Sequence, residues 1–148
     1  MPQQKTFEAA KPSAALGALG KALLGSWRFD GDASGVTRYE WLEGSPFLKQ
    51  SVDIEVFGKS VKGVEIIGHI HGPGEQASAE IWSRFYSFGD GLTLDYVYEL
   101  DGDHLTIWFK HKASDNRFTG TIAGDRLSYK GAWAWPGGGY SVTAVRLP

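Results

Sequence analysis

The sequence predicts an all-β protein, an antiparallel up-and-down barrel of about ten strands with a short N-terminal helix that closes one end. From Gly25 onward apolar and polar residues alternate with the period of two that strands require, and no stretch sustains a helical period. Turn-forming Gly, Pro and Asp residues recur about every 8–12 residues. The chain contains 20 Gly among its 148 residues together with 8 Phe, 6 Trp and 6 Tyr, which is typical of many short strands joined by turns.

The predicted connections are short, so strands that follow one another in sequence should lie side by side and run antiparallel. An open sheet of about ten strands would expose two edges of unpaired backbone groups. Closing the sheet into a barrel removes both edges at once. The alternative, a two-sheet jelly roll, needs longer crossovers than these loops provide.

Length and composition exclude several classes of protein. The 148 residues fit one domain, and we assign a flexible tail to residues 1–11 and a single barrel domain to residues 12–148. The 15 basic and 17 acidic residues give a net charge of −2, which argues against nucleic acid as a partner. The chain has no cysteine, so disulfides, thiol nucleophiles and thiolate metal sites are excluded. No apolar run approaches the roughly 20 residues of a membrane span, and we expect no membrane partner.

The N-terminal helix is predicted from Pro12-Ser13, which can open a helix, to a stop at Gly25. Leucines 16, 19 and 23 share one face of it. Gly17 and Gly20 each cost about 1 kcal/mol relative to alanine, so the helix needs a surface to dock on. Lys21 and the glycines interrupt the apolar stretch and no A-x-A cleavage pattern follows it, so we expect a cytoplasmic protein without a signal peptide.

The strands are predicted between successive turn signals. Asp-Gly pairs such as Asp30-Gly31 and Asp101-Gly102 tolerate the positive φ that tight hairpins demand. The predicted strands cover residues 26–30, 36–43, 47–57, 62–71, 77–88, 91–100, 103–111, 116–123, 126–134 and 139–147.

Several strand faces combine aromatic rings with a polar group, as the walls of small-ligand sites do. A barrel of about ten strands also leaves a wider lumen than one of eight, although the rings could instead fill it. We therefore predict a small hydrophobic ligand as the partner and no cofactor. The residues predicted to line the cavity are Tyr39, Trp41, Trp82, Arg84, Tyr86, Tyr96, Trp108 and Trp133.

The string Leu24-Gly25-Ser26-Trp27, which follows the predicted helix and opens the first strand, resembles the Gly-x-Trp start of the lipocalin-like, or calycin, barrels. That resemblance implies that Trp27 closes the base of the barrel and that a basic residue of the last strand lies across it. Arg146 is the matching residue here. A guanidinium over an indole face is itself a favourable contact.

A wider likeness, from about residue 13 to 147, is to a bacterial lipocalin-like family whose function is not established. It is carried by Tyr39-Glu40-Trp41-Leu42-Glu43-Gly44, Pro46-Phe47-Leu48, Glu65-Ile66-Ile67-Gly68, Arg117-Phe118-Thr119-Gly120 and Gly131-Ala132-Trp133. The family's usual Gly-Tyr-Asp after the Ile-Ile pair is Gly68-His69-Ile70 in this chain. The likeness implies the barrel and implies no reaction.

A metal site is the alternative to a simple binding cavity. His69 and His71 should project from one face of one strand, and with Gly63 and Glu75 they are similar to the first half of the cupin metal motif. Position 82, where the motif has a glycine, is occupied by Trp82 in this chain, and the second half of the motif is absent. His104 and His111 could each ligate a haem iron, but no local pattern specifies that role.

Two functions therefore remain open, and a third possibility is a filled barrel that acts only through its outer surface. The first is the binding of a small apolar or aromatic molecule inside the barrel. The second is an enzyme, either a metal-dependent oxygenase or isomerase built on His69, His71 and Glu75, or a metal-free cyclase. Titratable groups such as Glu65, Arg84 and Asp95 would serve acid–base chemistry if they face inward.

Overall fold

A computed structural model describes residues 10–148. It confirms the predicted fold: ten antiparallel strands pair in chain order, and the last strand pairs with the first to close the barrel. Of the predicted tail, residues 1–11, the part over residues 1–9 lies outside the described residues. After the helix α1 (Ala14–Leu23), the strands are β1 (Gly25–Gly31), β2 (Ala33–Trp41), β3 (Leu48–Val56), β4 (Lys59–Gly68), β5 (Ile81–Ser87), β6 (Thr93–Asp101), β7 (His104–Phe109), β8 (Arg117–Ile122), β9 (Ser128–Trp135) and β10 (Gly138–Arg146).

The connection between β4 and β5 is the largest departure from the predicted boundaries. The strand predicted over 77–88 begins only at Ile81, and the one predicted over 62–71 ends at Gly68. The reason is a local set of hydrogen bonds, since the N–H of Ser78 donates to the carbonyl of Ile70. The same serine accepts from the Ile70 N–H through its hydroxyl. These groups are satisfied within the loop, so they do not extend the ladder.

Helix α1 packs across one end of the barrel. The Ser13 hydroxyl caps it by accepting from the Leu16 N–H at 3.1 Å. The face formed by Leu16, Leu19 and Leu23 is fully buried. Gly20 also serves packing, because a Cβ there would collide with the indole of Trp41. Gly20 therefore weakens the isolated helix but allows the helix to pack closely against the barrel. Within residues 10–148, no helix has the length and apolar character needed to cross a bilayer.

Trp27 sits beneath α1 at the closed end and is completely buried. Its indole N–H donates to the carbonyl of Leu23 at 2.8 Å, which ties the barrel base to the end of the helix. The guanidinium carbon of Arg146 lies 4.2 Å from the centroid of the Trp27 ring. Arg146 also donates to the carbonyls of Ala22 and Leu24. One side chain of the last strand therefore holds the first strand and the helix together.

Candidate functional site

The barrel encloses a cavity of about 150 Å³. Its walls are mostly aromatic and aliphatic, with a few polar side chains between them. The lining residues are Phe29, Thr37, Tyr39, Gln50, Val52, Ile54, Val61, Glu65, Phe85, Tyr96, Tyr98, Leu105, Ile107, Phe118, Tyr129, Trp133, Tyr140 and Val142. A dry apolar cavity of about this volume is known to hold a benzene molecule. The interior of the barrel is therefore hollow enough for a small aromatic guest.

Glu65 supplies the only charged side chain among these lining residues. It lies on β4 between Gln50 of β3 and Phe85 of β5 in the strand register, and it is only 4% exposed. Its two carboxylate oxygens accept from different hydroxyls. Ser83 donates to Oε2 at 2.5 Å and Tyr98 donates to Oε1 at 2.7 Å. The two donors fix the orientation of the carboxylate in the cavity wall.

Burial raises the pKa of Glu65 from 4.5 to about 6, although the hydrogen bonds from Ser83 and Tyr98 favour the anion and act in the opposite direction. The same burial raises the pKa of Tyr98 well above its ordinary value, and the charge of Glu65 adds to that shift. Tyr98 therefore remains a neutral hydroxyl that donates to the carboxylate. At neutral pH the cavity carries an anion held by neutral donors.

Thr37 is another polar group of the wall. It is 1% exposed, and its hydroxyl oxygen has no hydrogen-bond partner among the described residues. A buried hydroxyl without a partner costs about 1–3 kcal/mol. Because Thr37 lines the cavity, a bound molecule could satisfy it.

The cavity's lining continues into a wider hollow at the end of the barrel opposite α1. This mouth hollow has a volume of about 410 Å³ and shares Tyr96, Trp133 and Tyr140 with the cavity. Its remaining lining residues are Leu94, Phe109, Asn116 and Trp135. The rings contact one another, with the centroids of Tyr96 and Trp133 5.7 Å apart. Three aromatic side chains therefore lie between the mouth hollow and the cavity.

Three of the eight residues predicted to line the cavity do so, namely Tyr39, Tyr96 and Trp133. Trp41 is on the inner face but lies under the helix, where it contacts the core and not the cavity.

The other four predicted lining residues, Trp82, Arg84, Tyr86 and Trp108, lie on the outer face of the barrel. Arg84 pairs there with Asp95, at 2.7 Å between Nε and Oδ1. Trp108 is buried on the outside, where the ammonium of Lys112 lies 5.7 Å from its ring centroid.

The outward orientation has a simple cause. Trp82, Val97 and Trp108 are direct neighbours across β5, β6 and β7, so their side chains form one apolar row on the outer surface. Alternation predicts which residues of one strand share a face, and it does not tell which face is inside. The inward residues of β5 are the less aromatic set, Ile81, Ser83 and Phe85.

Sequence reasoning missed the lining residues Gln50 and Tyr98, and it missed the Ser83 hydroxyl that donates to Glu65. The sequence offers Glu65 as an acid–base group only if its side chain faces inward, and the structure places it in the cavity wall. A signal was present, because Glu65 interrupts the otherwise apolar run Val64-Glu65-Ile66-Ile67 of a predicted strand. A charged residue in such a run is unusual on a barrel wall unless it has a partner or a purpose.

The histidines occupy other parts of the fold. His69 and His71 follow the end of β4, so they do not share a strand face, and the ring of His69 is engaged on both sides. Its Nδ1 lies 2.7 Å from the carbonyl of Ser78 and its Nε2 lies 2.7 Å from the Ser13 hydroxyl. Within residues 10–148, no three His, Asp or Glu side chains, including those of His69, His71 and Glu75, are placed to hold a metal ion. His104 and His111 are exposed.

Comparisons with known proteins add no assignment, since no family model matches the chain and no curated protein is found to be similar to it.

Glu65 should make the stability of the protein depend on pH. Its pKa is higher in the folded state, about 6, than the ordinary 4.5, so the folded state binds the proton more tightly. The free energy of unfolding should therefore fall by about 2 kcal/mol as the pH rises through that interval, and stay low above it. Glu65→Gln should remove this slope. Urea titrations at a series of pH values measure it, with the exposed Glu55→Gln as the control that keeps the slope. An unchanged slope in Glu65→Gln would mean that Glu65 does not titrate in this range.

Proposed function

We propose that the protein binds a small apolar or aromatic molecule inside its barrel. The observation that carries this proposal is the cavity of about 150 Å³. Most ligand sites are concave, largely apolar and furnished with a few placed polar groups. The cavity has this character, with Glu65 and Thr37 as polar groups among aromatic walls.

The lipocalin-like features of the chain support the same function. Trp27 and Arg146 stack at the closed end as the resemblance to calycin barrels implies, and barrels of that class commonly enclose one small ligand. The likeness to the bacterial lipocalin-like family agrees with this closed architecture.

The mouth hollow offers the route of entry. Phe57 and Trp135 both pack edge-on against Tyr140, with ring centroids 6.0 Å and 6.1 Å apart. Phe57 is 63% exposed, which makes it one of the most exposed aromatic side chains of the described residues. Flat rings at an opening bind apolar molecules and can rotate to admit them.

The direct test uses the indole N–H resonances of isotope-labelled protein. Titration with benzyl alcohol and cyclohexanol should shift the resonance of Trp133, which lines the cavity, and leave that of Trp82 on the outer surface unchanged. Equal shifts of both resonances would indicate nonspecific contact. No shift with either probe would contradict binding inside the barrel.

Filling the cavity should abolish this binding. Val142 lines the cavity, so a larger side chain there takes up part of the cavity volume. We expect Val142→Phe to weaken benzyl alcohol binding by about tenfold or more, since such a loss corresponds to only about 1.4 kcal/mol. The matched control is Val145→Phe, because Val145 is on the outer face of the same strand. Unchanged binding by Val142→Phe would place the ligand elsewhere.

A metal-free reaction in the same cavity is the second candidate function. Glu65 has its pKa raised to about 6 by burial, in the range suited to proton transfer near neutral pH. Such a reaction would consume the bound molecule, so prolonged incubation of each bound probe followed by NMR separates the two functions. Unaltered probe spectra would support binding alone.

A further inference from the structure

The charge of the cavity wall is unbalanced. Its lining residues include one carboxylate and no Lys, Arg or His. The five ion pairs among the described residues all involve partly exposed side chains, and none of them includes Glu65. A buried charge is normally paired, because an unpaired one loses its hydration without compensation. Within residues 10–148, Glu65 is therefore buried with no cationic side chain paired to it.

The hydroxyls that donate to Glu65 leave some of its acceptor sites free for a further hydrogen-bond donor. Each carboxylate oxygen can accept about two hydrogen bonds, and Ser83 and Tyr98 each occupy one site. The two donors stabilise the anion without neutralising it. The remaining acceptor sites suit a donor that also carries positive charge, since such bonds are roughly twice as strong as neutral ones.

The other groups that face Glu65 are consistent with a cationic guest. The titratable residues that line the cavity with it are tyrosines from four strands: Tyr39, Tyr96, Tyr98, Tyr129 and Tyr140. Burial raises the pKa of each of them, so all are neutral and none supplies a countercharge. Their ring faces, together with that of Trp133, attract a cation electrostatically.

Thr37 provides an independent observation. Its hydroxyl oxygen is buried in the cavity wall and lacks a partner among the described residues. It can accept a hydrogen bond from a guest that enters the cavity. A guest with several N–H donors would therefore find acceptors on both β2 and β4, whereas a hydrocarbon would leave them unused.

From this juxtaposition of an unpaired buried carboxylate, an orphaned hydroxyl and aromatic walls, we infer that the ligand is a small organic amine, bound as its ammonium cation with the charged group facing Glu65. This inference rests on the proposed binding function and specifies its ligand class. An anionic ligand would be repelled by Glu65, and a neutral one would leave the carboxylate unpaired. The volume of about 150 Å³ limits the amine to roughly one aromatic ring with a short arm.

The experiment compares three probes of nearly equal size and different charge: benzylamine, benzyl alcohol and benzoate. Binding to the full chain is followed by the Trp133 indole resonance at concentrations up to about 10 mM, because a millimolar dissociation constant needs only about 4 kcal/mol. We expect benzylamine to bind about 10- to 100-fold more tightly than benzyl alcohol, which is the range of a charged hydrogen bond. Benzoate should bind most weakly.

The variants assign the preference to one residue. Glu65→Gln keeps the size of the side chain and should reduce benzylamine affinity to that of benzyl alcohol. Glu55→Gln makes the same change of charge on the exposed face of β3 and should retain the preference. Near-ultraviolet circular dichroism verifies the fold of Glu65→Gln. If that variant does not fold, the comparison of the three probes on the unmodified protein still tests the inference.

The outcomes separate the inference from the function on which it rests. Benzyl alcohol or benzoate binding as tightly as benzylamine would overturn the amine inference and leave small-molecule binding in place. A preference that persists in Glu65→Gln would also overturn it. A failure of all three probes to shift Trp133 would overturn the binding function itself.

Discussion

Trp27→Ala is expected to lower the free energy of unfolding by about 3–5 kcal/mol, the usual cost of removing a buried tryptophan. Trp27 is fully buried, and three separate elements depend on its ring. The indole donates to Leu23 at the end of α1, packs 5.0 Å from the Tyr129 ring of β9, and lies under Arg146 of β10. Its loss leaves a cavity at the closed end and removes the support of the helix.

Urea denaturation followed by circular dichroism measures the effect of Trp27→Ala. The control is Trp135→Ala, since Trp135 is 36% exposed at the open end and its removal leaves no enclosed cavity. The control should lose much less stability, and α1 should remain docked in it. Similar losses in both variants would show that Trp27 has no special role in closing the barrel.

Gly35→Ala is the second substitution with a large expected effect, a loss of about 3 kcal/mol or more. Gly35 has φ of +126°, a conformation that residues with a side chain rarely adopt. A Cβ there would lie 2.7 Å from Cα of Ile54 and would also collide with the Asp53 carbonyl on the neighbouring strand. Both obstacles are backbone, so they cannot move aside by a change of rotamer. We expect the pairing of β2 and β3 to loosen.

Thermal unfolding of Gly35→Ala tests this effect, with Gly89→Ala as the matched control. No atom of residues 10–148 lies within 4 Å of a Cβ at Gly89, and its φ is not in the positive range, so that substitution should be nearly neutral. Hydrogen exchange of the β2 and β3 amides should quicken in Gly35→Ala alone. Equal melting temperatures for the two variants would contradict the close approach of the two strands.

The predicted strands agree with the structure where local signals control them. The Asp101-Gly102 turn joins β6 to β7 because Gly102 adopts φ of 60°, which needs no distant contact. Residues 69–71 and 77–80, which the sequence predicts as the ends of two strands, belong instead to the loop between β4 and β5. There the hydrogen bonds that join His69 and Ile70 to Ser78 and Glu80 replace the sheet ladder, and their partners are 8 to 11 residues apart in sequence.

Local signals are enough to predict the all-β class, the N-terminal helix and an antiparallel meander, because a period of two and a turn residue act over a few neighbouring positions. Which face of each strand is inside depends on contacts between strands that are far apart in sequence. That choice placed Glu65 in the cavity wall, and Trp82 and Trp108 on the outer surface. The physical reason is that rings occur on both faces of several strands, so no single strand carries a decisive preference. The inward face is selected when all ten strands close together and the sum of their buried side chains must fit one lumen.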